Sequence, residues 1–293
     1  MKGATDTTLR LRLNTGRRPG FWRTFRRHRF AVASLALLVV LSASVVVGPL
    51  VLRISPEAID LRARLAAPGG PHPLGADEFG RDVLSRLVHG GRNSLAVGIV
   101  AMLVALTVGT VLGALSGYCG GPVDAAIMRL TDGLLAIPIF FVLLTALTVF
   151  GRTLPNLILF IGLTSWMPVA RLVRSETLRI RNLEYVLAAQ ALGAAEARRL
   201  LRHILPQAAP SIIVASTLGV AAAILEEAGL SYLGLGIQPP MPSWGNMLTG
   251  AQNYIFTAPA LAIYPGLLIL LVVLAFNALG DGLRDALDPQ VHE

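Results

Sequence analysis

The 293-residue chain is 54% hydrophobic and 14% charged, with a mean hydropathy of +0.65, too apolar to cover its surface with a water-soluble shell, so lipid must supply part of its solvent. One cysteine, Cys119, excludes an internal disulfide; five scattered histidines, His28, His72, His89, His203 and His292, show no metal-ligand spacing. The net charge of +8 sits beside long apolar runs, which points to membrane topology rather than nucleic acid, and the single lysine, Lys2, leaves no P-loop lysine, so any ATP hydrolysis must belong to another chain.

Residues 1–29 read as a cytoplasmic basic tail: Lys2 and eight arginines stand against one acid, Asp6. Residues 30–52 then run 23 positions without a charge, long enough for a first transmembrane helix and too long for a signal-peptide core. Residues 53–92 read as an extracytoplasmic loop, broken by PGGPHPLG and ending in DEFGRDVLSRLVHGGR, where Val83, Leu84, Leu87 and Val88 predict an amphipathic helix along the membrane surface. Residues 93–288 then hold a five-helix core, with spans expected at 94–116, 127–150, 153–170, 208–225 and 261–280. Gly109, Gly113 and Gly117 form a small-residue ridge suited to helix packing, and Pro168 predicts a kink. Residues 228–280 carry no charge over 53 positions, more than one span can use, and the Gly- and Pro-rich part predicts a non-spanning or re-entrant loop over 229–260.

Residues 171–207 form the loop between the fourth and fifth spans. Its seven arginines, Arg171, Arg174, Arg179, Arg181, Arg198, Arg199 and Arg202, would cost roughly 17–25 kcal/mol to bury in hydrocarbon, so it lies outside. With the basic tail it places both termini in the cytoplasm; the six arginines of the first loop run against that rule, interleaved with five acids. EYVLAAQALGAAEARRLLRHILPQAAP predicts a short helix, a turn at Gly193 and a return helix that stops at Leu205-Pro206.

That loop resembles the coupling segment of bacterial binding-protein-dependent ABC importer permeases, in Ala188-Ala189, Gly193 and Leu205-Pro206; the glutamate the family carries before the alanines is Leu187 here, with Glu184 the nearest acid. HPLGADEFGRDVLSRLVHGGRNSLAVG at 72–98, GYCGGPVDAAIMRLTDG at 117–133, LSYLGLGIQPPMPSWGNML at 230–248 and FNALGDGLRDALDP at 276–289 are similar to the C-type permease of dipeptide and oligopeptide importers. The resemblance implies an all-α polytopic membrane protein of the bacterial plasma membrane, with six transmembrane helices and the type I ABC importer permease fold. It implies a second homologous permease subunit, ABC ATPase subunits and an extracytoplasmic substrate-binding protein as partners, and no cofactor. The cargo it implies is di- or oligopeptides, with nickel chelates or glutathione as the alternative.

The coupling residues are accordingly Glu184, Ala188, Ala189, Gly193, Leu205 and Pro206. Asp132 and Glu226, with Glu227, are candidates for the translocation path because ionisable residues in spans are costly; Asn277 is the polar candidate in the sixth span. The loops at 229–260 and 72–92 are the expected docking surfaces for the binding protein. The chain shows no H-E-x-x-H, no G-x-S-x-G and no paired intramembrane aspartates, so it offers no catalytic or metal residues for an intramembrane enzyme, and no repeated halves of a secondary transporter.

Overall fold

The computed structural model describes residues 21–52 and 54–287, so the expected tail up to residue 20 and the end of the core from residue 288 lie outside the described residues. Every named element among them is helical: α1 (Phe21–Arg27), α2 (Arg29–Leu52), α3 (Val83–Cys119), α4 (Gly121–Leu135), α5 (Ile139–Phe150), α6 (Leu154–Ile180), α7 (Glu184–Ala191), α8 (Glu196–Arg199), α9 (Leu205–Tyr232), α10 (Trp244–Ala251) and α11 (Ala260–Leu287), with short 3-10 and π turns between some of them. Five stretches are long and apolar enough to cross a membrane, and a sixth crossing results if α4 and α5 count as one. The bundle has two chemically different ends. One gathers residues 181–204, α1 and the end of α11, and is rich in arginine; the other gathers 54–82 and 233–259.

Helix α3 is the hub, lying against α2, α6, α9 and α10. Its closest neighbour is α6, and the glycine ridge explains the approach. A methyl group on Gly109 would sit 2.7 Å from the Trp166 carbonyl oxygen, and one on Gly117 2.8 Å from that of Arg174. Gly162 on α6 returns the arrangement, 2.8 Å from the Ala101 carbonyl. Without a hydrophobic force between helices in lipid, such backbone contact supplies the dispersion energy of packing. Around this seam Met102, Ala105, Trp166, Val169, Val220 and Val272 make one buried core.

The structure corrects three expectations. Residues 83–92 are the first turns of α3, continuous with the second span, rather than a separate surface helix. The helix starts at Asp82, whose carboxylate accepts from the Ser85 N–H at 2.7 Å, and its basic residue Arg86 is held by partners outside the helix. Periodicity alone does not distinguish a surface helix from such an extension. The expected single span at 127–150 is two helices, α4 and α5, bent by 84°; the break falls at Ala136-Ile137-Pro138, where Pro138 has no N–H and disfavours helical backbone at Ile137. The return helix does not stop at Leu205-Pro206. It passes through a π turn, Leu200–Ile204, in which the Leu205 N–H donates to the Leu200 carbonyl, and continues as α9. The wider turn accommodates a proline that an unbroken α-helix resists. Pro168 lies inside α6.

Residues 233–259 return over the bundle end as a loop carrying α10, consistent with a non-spanning segment. The indole N–H of Trp244 donates to the Leu87 carbonyl at 2.9 Å and Asn93 donates to the Pro242 carbonyl at 2.7 Å, fastening that loop to α3.

Candidate coupling surface and translocation path

Helix α7 ends in a Schellman turn. The Ala194 N–H donates to the Ala189 carbonyl at 3.0 Å and the Gly193 N–H to the Gln190 carbonyl at 2.9 Å. Such a turn requires left-handed backbone at its C′ residue, and Gly193 has φ +80°. Ala189 supplies the backbone carbonyl that closes the turn, and the turn accounts for the glycine at 193.

One face of α7 is tied to the bundle and the other is open. Val186 is buried with Ile180, Ile204 and Ala208, joining α7 to the ends of α6 and α9, with Tyr118 of α3 packed alongside. Full burial of a valine or isoleucine contributes roughly 1.5–3 kcal/mol each. The opposite arc carries the acidic Glu184 and the small Ala188 and Ala191, flanked by the exposed apolar side chains of Leu187 and Leu192. Leu192 is 89% exposed, and nothing lies within 4 Å of a methyl group placed on Gly193. Leu205 and Pro206 sit apart from this surface, at the start of α9.

Polar contacts brace the same end. Asp124 at the start of α4 accepts from Arg174 of α6 at 2.6 Å and from the Ser116 hydroxyl of α3. Arg181 donates to the Gly117 carbonyl at 2.8 Å, and the Ser211 hydroxyl of α9 donates to Glu176 of α6 at 2.7 Å. These contacts tie α3, α4, α6 and α9 to one another at the end where Val186 of α7 packs. The bracing roles of Asp124, Arg174, Glu176 and Val186 are not legible in the sequence: charges near a span end read as solvated, and their pairing across helices is invisible without the fold.

The three candidate path residues are not brought together. Asp132 is exposed and paired with exposed Arg171 at 2.5 Å, an arrangement that contributes little to stability. Asn277 is half-buried on α11. Glu226 is half-buried toward the opposite end of α9, and its Oε2 is buried without a hydrogen-bond partner among the described residues. Its neighbour Glu227 is fully buried and plays another part. It accepts from the Ser94 hydroxyl at 2.8 Å and the Ser231 hydroxyl at 2.6 Å; Ser94 in turn accepts from the Trp244 N–H at 3.2 Å, and Ser231 from the Ile237 N–H at 3.0 Å. This network locks α3, α9 and the 233–243 loop together, so Glu227 is a structural brace.

The loop before α3 is equally built. Asp77 accepts from Arg81 at 2.7 Å and lies 3.4 Å from Arg86, which also donates to the Pro56 carbonyl at 3.1 Å; all three side chains are buried. Gly80 has φ +74°, and a methyl group there would fall 1.7 Å from the Asp60 carbonyl oxygen, so only glycine fits. Two of the arginines that ran against the charge rule, Arg81 in the loop and Arg86 in the first turn of α3, are thus paired with Asp77, and Arg81 also lies 3.4 Å from Glu78.

Residues 109–293 match the family described as binding-protein-dependent transport system inner membrane component, and residues 20–68 match the N-terminal transmembrane domain of oligopeptide transport permease C. The chain belongs to the first of these families. Among its relatives this permease is 39% identical to a dipeptide transport system permease of Alkalihalophilus pseudofirmus over 92% of its own length and 89% of the relative's. It is 42% identical to a glutathione transport system permease of Pectobacterium atrosepticum, over 92% and 90%, and 40% identical to an oligopeptide transport system permease of Haemophilus influenzae, over 92% and 87%. The expected architecture, a helical permease of the inner membrane, agrees with these matches.

Proposed function

We propose that this permease forms one half of a peptide-conducting path in an ATP-driven importer, beside a second permease, and that α7 receives the motion of an ATPase subunit. The observation that carries this is the construction of α7: a short helix with an open outer arc, a glycine turn at its end, and Val186 buried against the ends of α6 and α9. Such an element transmits a push and has no evident use in an isolated chain. With its end in the cytoplasm, loops 54–82 and 233–259 face outward and present folded surfaces to a substrate-binding protein.

Two further observations support a partner at the path. The unpaired buried oxygen of Glu226 needs water or a neighbouring group, since polar atoms facing hydrocarbon are costly. The relatives are named for dipeptide, oligopeptide and glutathione transport; glutathione is itself a tripeptide, so a small peptide with free carboxylates is the shared cargo chemistry. ATP hydrolysis falls to the partner, because the lysine at position 2 is the chain's only one.

Cross-linking tests the α7 assignment. Ala188 is exposed on the open arc, so Ala188→Cys in a Cys119→Ser background, labelled with a maleimide that carries a benzophenone, should form an adduct with the ATPase subunit on illumination, the photoactivated ketone inserting into a neighbouring C–H bond. A variant that imports peptide and reacts with maleimide, yet yields no ATPase adduct, would remove α7 from the coupling contact.

A further inference from the structure

Helix α1 is a short basic and aromatic element fixed at the arginine-rich end, and nothing in the importer mechanism above uses it. Phe25 faces inward and is 4% exposed, with α1 lying against α11. Beyond the break that follows α1, the chain is held by His28, whose Nε2 lies 3.6 Å from an Asp285 oxygen, and by Ala31, which fills the space left by Gly282. At 100° per residue Arg23, Arg26 and Arg27 fall within one arc of about 100° opposite Phe25, with Trp22 beside Arg26. All three are exposed, and the ion pairs among the described residues include none of them. Trp22 is 65% exposed, and among the described residues an open recess is lined by Trp22, Arg23, Arg26 and Arg27.

Depth decides what meets this arc. The uncharged run starts at Phe30, which is 78% exposed as a lipid-facing residue would be. Arg23, Arg26 and Arg27 precede it by three to seven residues, within about two helical turns of the hydrocarbon edge, the level of lipid phosphates. An exposed indole at that level is a typical interfacial anchor. A soluble anion would find the arginines there too, but would make no contact with Trp22; a lipid satisfies both with one molecule.

We propose that α1 is a binding site for an anionic phospholipid, its phosphate held by Arg23, Arg26 and Arg27 and its interfacial region covered by Trp22. The proposed orientation enters only in naming the leaflet, which is the cytoplasmic one. Each basic residue contributes about fivefold to anionic-lipid preference near a membrane surface, falling with salt. Clamped to α11 by Phe25 and by the adjoining His28 contact, the site also ties lipid composition to the sixth span.

Fluorescence quenching tests this. The full-length chain, purified with the subunits it assembles with, is placed in nanodiscs of phosphatidylcholine containing 6,7-dibromo-phosphatidylglycerol, or of the reverse labelling, and the difference between wild type and Trp22→Phe isolates that indole. The expected result is quenching by dibromo-phosphatidylglycerol at least fivefold stronger than by dibromo-phosphatidylcholine at equal mole fraction, lowered toward equality in Arg23→Gln, Arg26→Gln and Arg27→Gln, and by high salt, while millimolar inorganic phosphate does not compete. Equal quenching by the two lipids in the wild type, which needs no arginine variant to fold, would overturn the proposal. So would a preference that survives all three substitutions, or one abolished by inorganic phosphate. Because the readout is lipid proximity, failure here leaves the importer assignment intact.

Discussion

Gly193→Ala and Gly193→Arg impose the same backbone strain and differ in what they push outward. The residue has φ +80° in a Schellman turn, and a methyl group there meets nothing within 4 Å. An L side chain in that conformation costs about 1–2 kcal/mol, and the Cβ of either variant meets no atom within 4 Å. Both should therefore reach the membrane at similar levels and lose the same few degrees of melting temperature in detergent. The side chain of arginine, however, reaches about 7 Å beyond Cβ, across the face that α7 presents. In a strain lacking its own copy, uptake of a labelled dipeptide at matched membrane levels should be largely retained by Gly193→Ala and lost by Gly193→Arg, with ATPase copurification falling in parallel. Equal uptake by the two variants would show that the open face at Gly193 touches no partner. A much lower membrane level for arginine than for alanine would show that the effect is folding, and the coupling argument would lose its support.

Other expectations follow from the braces. Gly80→Ala should sharply reduce the amount of folded protein, since its methyl group meets the Asp60 carbonyl oxygen at 1.7 Å, whereas Gly69→Ala, with nothing within 4 Å, should cost only its backbone strain; a fluorescence-detected size-exclusion assay ranks them. Glu227→Leu orphans the Ser94 and Ser231 hydroxyls, at about 1–3 kcal/mol each, and should lower the melting midpoint more than Glu227→Gln, which keeps an acceptor; the reverse order would refute the network. Topology is checked with the native thiol: exposed Cys119 should react with an impermeant maleimide only from the cytoplasm, and Phe256→Cys, at a residue 98% exposed, only from outside when Cys119 is serine. Ser243, in the same loop, is fully buried as the cap of α10 and would not serve as an outer label.

The elements most legible in the sequence were those with a single physical cause. Uncharged runs marked the long apolar helices, since the desolvation of charge dominates every other term in lipid. Gly109, Gly113 and Gly117 were legible as a packing ridge because backbone approach admits only small residues. Gly193 was legible as a turn, and the structure supplies the reason in its positive φ. What escaped depends on atoms far apart in sequence. The extension of α3 through Arg86 requires Asp77 and the Pro56 carbonyl as partners. The π turn before Pro206 and the break at Pro138 are two answers to the same missing N–H, and only the surrounding packing chooses between them. The candidate path residues were least legible: the structure leaves Asp132, Glu226 and Asn277 apart, and under the proposed function a second chain completes the path, whose surface one sequence does not contain.

Vectorial transport by the assembled complex tests the central claim most directly. With the complex in proteoliposomes, the binding protein and labelled dipeptide outside and ATP trapped within, label should accumulate in the lumen, and Gly193→Arg should abolish accumulation while the vesicles hold the same amount of this permease. Accumulation that proceeds without ATP, or that is unchanged by Gly193→Arg, would contradict the account.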